Sequence, residues 1–338
     1  MDRNEAYASI SAQLTSLSDE KLLEQLENAR PLHTGVGGKS VLMTIGGVPV
    51  FVKKVPLTDL EQQPENFMST RNVFNLPMHC QYRVGGPGFG VWREVVAHKM
   101  TTDWALSAAC ENFPLMYHWR ILPAPKPGPR SSEQLESLER DVRYWENSEA
   151  VRKRLEALHN ASACVALFLE YVPQTLAQWL STKVAEGGQA AEAAARFVDH
   201  NIKITNAFMK QNSLTHFDAH FENILTDGKR LYFSDFGLAL AAGFELTKLE
   251  SDFLKHHQNF DHCNSAMSLV ICLVTSIFGK DQWEAKLRDY LRGLKGKQPP
   301  AIDAILKRDA VIAFALKEFF QKIGDNKSTP YPAHLLQE

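Results

Sequence analysis

Apolar residues are spaced differently in the two halves of the chain. Before residue 172, short apolar runs are bounded by glycine, proline and polar residues, which is typical of β-strands. These runs cover 41–44, 48–55, 115–122 and 163–171. After residue 172, apolar residues recur at helical spacing. The helices predicted there cover about 175–186, 190–211, 248–277, 281–293 and 301–323. Strands that precede helices in this way predict an α+β fold with a small β-rich part and a larger helical part.

Several segments extend or interrupt these two parts. Ser18 can cap a helix that runs through Ala29, and the spacing from Val91 to Cys110 predicts another helix. A highly charged segment from Ser132 to Ala157 is typical of a solvated helix. The predicted organisation is an N-terminal helical extension (1–30), a β-rich lobe (31–171) with insertions at about 57–90 and 123–160, a helical lobe (172–323) and a C-terminal tail (324–338).

Composition narrows the class of protein. Of 338 residues, 44% are hydrophobic and 22% charged, which indicates a folded globular chain. The formal net charge of −2 gives no overall basic field, so nucleic acid is not an expected partner. Five scattered cysteines lack the spacing of a zinc site. No secretory signal and no membrane-spanning segment is evident, so a cytoplasmic location is expected.

The clearest chemical pattern lies between residues 213 and 238. His216, Asp218 and Asn223 match HxDxxxxN, and Asp235-Phe-Gly begins twelve positions after the asparagine. Transfer of a γ-phosphoryl group needs a carboxylate that orients the acceptor hydroxyl, and oxygen ligands for Mg²⁺. A hairpin turning at Asp227-Gly228 would return Asp235 to the side of Asp218. The alternative is that these are ordinary turn and strand-end residues.

Phosphoryl transfer also predicts a lysine on a strand and a glutamate on a helix that holds it. Lys53 ends Val50-Phe-Val-Lys, a VAIK-like pattern, whereas its neighbour Lys54 should point to the other face of the strand. Glu94, near the start of the predicted helix, is the expected partner. Glu61 and Glu65 are the rivals, and an ordinary first-turn role for Glu94 stays open.

Glycines precede this lysine in the chain. Gly35 and Gly37 fit the first two glycines of GxGxxG, Gly38 follows, and backbone N–H groups there could cover phosphates. Gly38-Lys-Ser also resembles the end of a Walker A motif. That motif requires glycine where His33 stands and a helix where a strand is predicted, so we reject it.

The chain position between the two lobes is Glu170, Tyr171 and Val172. Backbone groups of these residues could bind an adenine ring. A plain connection between strand and helix would use the same residues.

Together, these motifs resemble the protein-kinase-like superfamily, over about residues 33–280. The resemblance implies a two-lobed fold with ATP and Mg²⁺ in the cleft. It makes Asp218 the catalytic base or acceptor-orienting residue and Asn223 and Asp235 the metal ligands. Lys53 and Glu94 would act on the phosphates.

The sequence departs from protein kinases in ways that bear on the substrate. Phe217 replaces the arginine of HRD, which removes the cation that in many protein kinases receives an activation-loop phosphate. His220 makes the loop similar to that of aminoglycoside and choline phosphotransferases, and no Ala-Pro-Glu motif follows Gly237. Asp261 resembles the buried aspartate that braces the catalytic loop, although a helix-capping role would also explain it.

Three functions are therefore considered. The first is an ATP- and Mg²⁺-dependent kinase that phosphorylates Ser/Thr of a protein. The second is a small-molecule kinase, in which Glu245, Glu250 and Asp252 could hold a cationic acceptor. The third is a nucleotide-binding pseudokinase. The presence of Lys53, together with Asp218, Asn223 and Asp235, argues against this third function.

Overall fold

The computed structural model describes residues 2–35, 38–82, 87–125, 127–293 and 298–335. An antiparallel sheet is followed along the chain by a series of helices, which confirms the predicted α+β class. The chain divides into two units. Unit 1 comprises Met1–Tyr171, Phe236–Ala239 and Phe244–Lys248, and unit 2 comprises Val172–Asp235, Leu240–Gly243 and Leu249–Glu338.

Unit 1 is built on one five-stranded antiparallel sheet with the strand order β1-β2-β3-β5-β4. Its strands are β1 (Arg30–Gly35), β2 (Gly38–Ile45), β3 (Val48–Leu57), β4 (Met116–Pro123) and β5 (Ala163–Glu170). Its helices are α1 (Arg3–Ser16), α2 (Asp19–Glu27), α3 (Val91–Leu106), α4 (Ser132–Tyr144) and α5 (Glu149–His159). Gly46 and Gly47 join β2 to β3 with φ values of 56° and 81°, as a type I′ turn requires.

Both faces of the sheet are covered. On β5, Ala166 and Phe168 face the cluster that contains Ile10 and Leu14 of α1. The alternate residues of β5, among them Val165, pack with α3 on the opposite face. This two-sided burial explains the continuous apolar run of β5.

The N-terminal extension consists of two helices, of which the sequence analysis assigned only α2. Asp2 begins α1 through a capping box with Glu5, and Ser18 caps α2 as predicted. The two buried residues of α1, Ile10 and Leu14, were too few to reveal a helix by periodicity.

The charged segment 132–157 is not one solvated helix, and that prediction was wrong. It forms α4 and α5, and Val142, Trp145 and Val151 are buried. Trp145 and Val151 pack with Leu76 and Cys80 from the other insertion, so the two insertions share a small core. Charged residues on the outer helix faces concealed this apolar stripe.

Unit 2 is mainly helical, with two small sheets. The helices are α6 (Leu176–Glu186), α7 (Gly188–Gln211), α8 (Lys248–His256), α9 (Phe260–Phe278), α10 (Trp283–Leu291) and α11 (Pro300–Asp325). The strands are β6 (Gln174–Thr175), β7 (Leu214–Thr215), β8 (Ile224–Thr226), β9 (Leu231–Phe233) and β10 (Leu240–Ala241). They pair as β6-β8-β9 and β10-β7. The helix predicted over 248–277 is interrupted at 257–259, where the chain turns between α8 and α9.

Helix α9 is the centre of unit 2 and packs against α6, α7, α10 and α11. Among the described residues, it alone is long and apolar enough to cross a membrane, with a mean hydropathy of 1.3, and 61% of that stretch is buried. Burial among neighbouring helices accounts for its composition. The C-terminal tail also packs on this unit, because Tyr331 is buried and donates its hydroxyl to Asn259 Oδ1 at 3.1 Å.

Candidate functional site

Lys53 and Glu94 form a buried ion pair inside unit 1. Lys53 lies on β3, opposite Ser40 of β2 and Leu167 of β5. Its Nζ is 2.7 Å from Oε1 of Glu94 in the first turn of α3, and the two side chains are 11% and 4% exposed. Charges shielded from water in this way interact more strongly than a surface pair. Lys53, rather than Lys54, is therefore the partner of Glu94.

Glu61, the alternative to Glu94 as the partner of Lys53, has a different structural role. Its Oε1 accepts the backbone N–H of Val91 at 3.0 Å, at the start of α3. Its Oε2 receives Nη1 of Arg154 at 2.8 Å, from α5. Both side chains are almost fully buried. Glu61 thus anchors the helix that carries Glu94, while Glu65 is exposed.

The predicted glycine loop is only partly described. β1 ends at Gly35 and β2 begins at Gly38, and these two glycines are paired in the register. Gly37 lies outside the described residues. The chain after Gly38 is a strand and not a helix, which is incompatible with a Walker A motif.

His216 links the loop of Asp218 to the end of the β8–β9 hairpin. Its Nδ1 accepts the N–H of Asp218 at 3.2 Å, and its Nε2 lies 3.0 Å from the carbonyl oxygen of Ser234. The carbonyl oxygen of Ser234 can only accept, so Nε2 is the donor and Nδ1 the acceptor in these two contacts. The two contacts orient the ring of this buried histidine.

Asp218 and Asn223 are joined directly. Asn223 Nδ2 donates to Oδ2 of Asp218 at 2.8 Å and to its backbone oxygen at 3.1 Å. This contact fixes the Asp218 carboxylate and turns the amide oxygen of Asn223 away from it. His220 Nε2 lies 3.6 Å from Oδ1 of Asp218, while His220 Nδ1 accepts the N–H of Glu222 at 3.1 Å.

The predicted hairpin is present between β8 and β9 and turns at Asp227-Gly228. Oδ1 of Asp227 accepts the N–H groups of Lys229 and Arg230, both at 2.8 Å. Gly228 has a φ of 84°, which favours glycine. The turn is therefore specified by residues within the hairpin itself.

Beyond the hairpin the chain returns to Asn223. Ser234 donates its N–H at 3.0 Å and its hydroxyl at 2.7 Å to the carbonyl oxygen of Asn223. Asp235 follows directly, with a φ of 64°. Left-handed conformations of this kind persist where surrounding contacts hold them, and they cluster at functional sites.

Asp261, in the first turn of α9, holds the backbone of the loop that carries Asp218. Its two carboxylate oxygens accept the N–H groups of His216 at 2.6 Å and Phe217 at 2.9 Å. Burial raises the pKa of Asp261 to about 7, against the lowering effect of these two donors. The carboxylate therefore braces the loop instead of capping its own helix.

The predicted adenine-binding position begins with a strongly constrained residue. The Glu170 carboxylate accepts from Arg3 Nη2 at 2.6 Å and from the N–H of Leu115 at 3.0 Å. Tyr171 is half-buried and Val172 is buried, and the first segment of unit 1 ends at Tyr171. Helix α1 thereby fixes the end of β5, which no local sequence pattern indicated.

The predicted site residues thus form two groups, one in each unit. In unit 1, Lys53 pairs with Glu94. In unit 2, Asn223 contacts the Asp218 carboxylate and also Ser234, the residue before Asp235. Comparison with protein-family models gives no match, and no curated protein matches the chain. A function is therefore proposed from the residues alone.

Proposed function

We propose that the protein is an ATP- and Mg²⁺-dependent kinase with a two-lobed, protein-kinase-like fold that phosphorylates Ser/Thr hydroxyls of a protein. The observation that carries this proposal is the direct contact of Asn223 with the Asp218 carboxylate, together with the hairpin that brings the chain back just before Asp235. The buried Lys53–Glu94 ion pair supports it independently.

Asp218 would act on the acceptor. Its carboxylate would accept a hydrogen bond from the acceptor hydroxyl and take the proton as the new O–P bond forms and ADP leaves. Asn223 holds Oδ2, so the carboxylate needs little reorganisation on substrate binding. No covalent intermediate on the protein is required.

Lys53 would bind the phosphates of ATP, because its ammonium is held by Glu94 at the sheet. The amide oxygen of Asn223 and the carboxylate of Asp235 are hard oxygen donors that suit Mg²⁺. Mg²⁺ would neutralise negative charge on the phosphates.

A protein acceptor is preferred to a cationic small molecule because of Glu245 and Glu250. Glu245, one of the acidic residues considered for a cationic acceptor, already accepts hydrogen bonds from Ser69 and Thr70. Glu250 is only 1% exposed, whereas Asp252, the third of these residues, is exposed. His220 beside Asp218 is the observation that favours the small-molecule alternative.

The test is transfer of label from γ-labelled ATP with Mg²⁺, using D218N. Asparagine can still accept the Asn223 hydrogen bond, so folding should be retained. Loss of a general base lowers turnover by about 10²- to 10⁴-fold. Nucleotide affinity should change little, whereas D235N should weaken Mg²⁺-dependent nucleotide binding. E318Q, an exposed carboxylate on α11, is the matched control and should behave as wild type.

The acceptors are mixed proteins in one reaction and amino alcohols, sugars and aminoglycosides in another. Label on protein that disappears with D218N supports the proposal. Label confined to a small molecule shifts it to the alternative. Nucleotide binding without any transfer would indicate a pseudokinase, and turnover within twofold of wild type in D218N would remove Asp218 from the mechanism.

A further inference from the structure

Residues 244–248, which follow the Asp235-Phe-Gly motif, are tied to residues 69–71 by reciprocal hydrogen bonds. The N–H of Glu245 donates to Oγ1 of Thr70 at 2.7 Å, and the N–H of Thr70 donates to Oε2 of Glu245 at 2.9 Å. The hydroxyl of Ser69 adds a third bond, to the same oxygen, at 2.6 Å. The Ser69 bond, with that from Thr70, keeps the pKa of Glu245 below its ordinary value, so the acceptor is ionised.

Thr70 is itself fixed by helix α3. Nε of Arg93 donates to the carbonyl oxygen of Thr70 at 2.7 Å, and Arg93 is only 1% exposed. Its guanidinium also lies over the rings of Phe89 and Phe244, 5.1 and 5.8 Å from their centroids. Arg93 immediately precedes Glu94, so the helix that holds Lys53 also holds Thr70.

The beginning of the same segment is attached to the same helix. The ring of Phe236 lies 5.0 Å from that of His98, which is one turn after Glu94 on α3. The side chain of Gln81, fully buried, donates to the carbonyl oxygen of Leu238. Residues 236–239 and 244–248 therefore belong to unit 1 through specific contacts on both sides of β10.

These attachments bear on Asp235, the residue just before Phe236. Its φ of 64° is maintained only where neighbouring contacts determine it. Thr70 and Glu245 make polar contacts of this segment that point substitutions can remove. Glu245 is half-exposed, so its truncation opens no large cavity.

We propose that Thr70 and Glu245 are positioning residues that hold the segment after Asp235 against α3 and thereby keep Asp235 in its ligand conformation. The pair acts without any covalent modification of the segment. The anchoring stands on the contacts alone, while the effect on Asp235 as a metal ligand rests on the proposed function.

Two measurements test the proposal on the full chain: hydrogen exchange of the amides in 236–239 and 244–248, and the Kd of ATP with and without Mg²⁺. The variants are E245A, E245Q and T70V, with E65A as the exposed control in the same insertion. E245Q keeps an acceptor oxygen for Ser69 and Thr70 and serves as the conservative rescue.

We expect E245A and T70V to accelerate exchange of these amides by at least about tenfold, which corresponds to about 1.4 kcal/mol. The Glu245 amide, which donates to Thr70 in the native structure, should respond most strongly to T70V. The Kd of ATP with Mg²⁺ should rise by a similar factor, and the Kd without Mg²⁺ by less than twofold. E245Q should recover most of the protection, and E65A should match wild type.

Unchanged exchange in E245A and T70V would overturn the anchoring. Faster exchange with an unchanged Kd in Mg²⁺ would overturn the positioning of Asp235. If the wild-type chain binds ATP equally with and without Mg²⁺, the proposed function is wrong, and the exchange result still decides the anchoring.

Discussion

Phe217 combines an unfavourable backbone with a buried side chain. Its φ of 63° is rarely adopted by aromatic residues. Its N–H is held by Asp261, and its ring packs against Phe253, His257 and Phe260 at centroid distances of 4.9 to 5.9 Å. Burial of the ring offsets the backbone strain. The position at which the resemblance to protein kinases would expect arginine is thus part of the unit 2 core.

His257 in this aromatic cluster should make stability depend on pH. Burial lowers its pKa from 6.5 to about 4, although its Nδ1–H donates to the carbonyl oxygen of Phe253. The folded state therefore prefers the neutral ring. Its contribution to stability is present above pH 6.5 and is lost as pH falls towards 4. Between pH 7.5 and pH 5 this amounts to about 2 kcal/mol.

The measurement is urea unfolding of wild type and H257F at both pH values. Phenylalanine keeps the stacking on Phe253 but does not titrate. The loss of stability on acidification should be smaller in H257F by about 2 kcal/mol. An equal loss in both proteins would show that His257 titrates normally in the folded state.

Sequence spacing reveals candidate site residues most directly where their contacts are local. Asp218 and Asn223 lie in one loop, and the hairpin to Asp235 is short, so a motif could reveal them. Lys53 was chosen over Lys54 because side chains alternate between the two faces of a strand. Glu94 was chosen because it lies near the start of a predicted helix. The contact of Ser69 and Thr70 with Glu245 gave no signal, because 175 residues separate Thr70 from its partner.

Helix α3 is an element whose beginning is capped from outside. Gly90, before its first residue, offers no side chain, and the carboxylate of Glu61 accepts the N–H of Val91 instead. Negative charge at this end also matches the helix dipole. Because Arg154 of α5 neutralises Glu61, the second insertion contributes to the position of Glu94.

Loss of Arg154 should therefore destabilise the protein strongly. R154M leaves the Glu61 carboxylate buried without its cation, which typically costs about 3–5 kcal/mol. R152M, two residues away on α5, removes an exposed pair with Glu139 and should cost much less than R154M. Urea unfolding free energies of the two variants make the comparison. Equal, small losses would mean that Glu61 is stable without Arg154.

Helix positions were easier to predict than their environments. The boundaries of α2, α6 and α7 lie within about two residues of the predicted ones, since caps and periodicity are local. The environment of α4 and α5 depended on Leu76 and Cys80, more than 50 residues earlier in the chain, which no pattern within 132–157 can show.

At the scale of the whole chain, the first two helices are part of the central core and not an appendage. Ile10, Leu14, Leu22 and Leu26 are almost completely buried against the sheet. The sheet has a second covered face, so unit 1 has three layers, of which the N-terminal helices form one.

L14A should lower the free energy of unfolding by about 2–5 kcal/mol, because it removes a fully buried side chain. L135A makes the same change on α4 at a side chain that is half exposed, and should cost less than about 0.5 kcal/mol. Thermal and urea unfolding of both variants provide the measurement. A loss below 1 kcal/mol in L14A would mean that α1 is dispensable for unit 1.

The central position of β5 also governs the order in which the chain can fold during synthesis. β5 lies between β3 and β4, so the sheet remains open until residue 170 has left the ribosome. Until then α1 and α2 have only the first hairpins on which to pack, and Arg3 has no Glu170 to bind. For about half of its translation, therefore, the nascent chain exposes apolar surface that the finished protein buries.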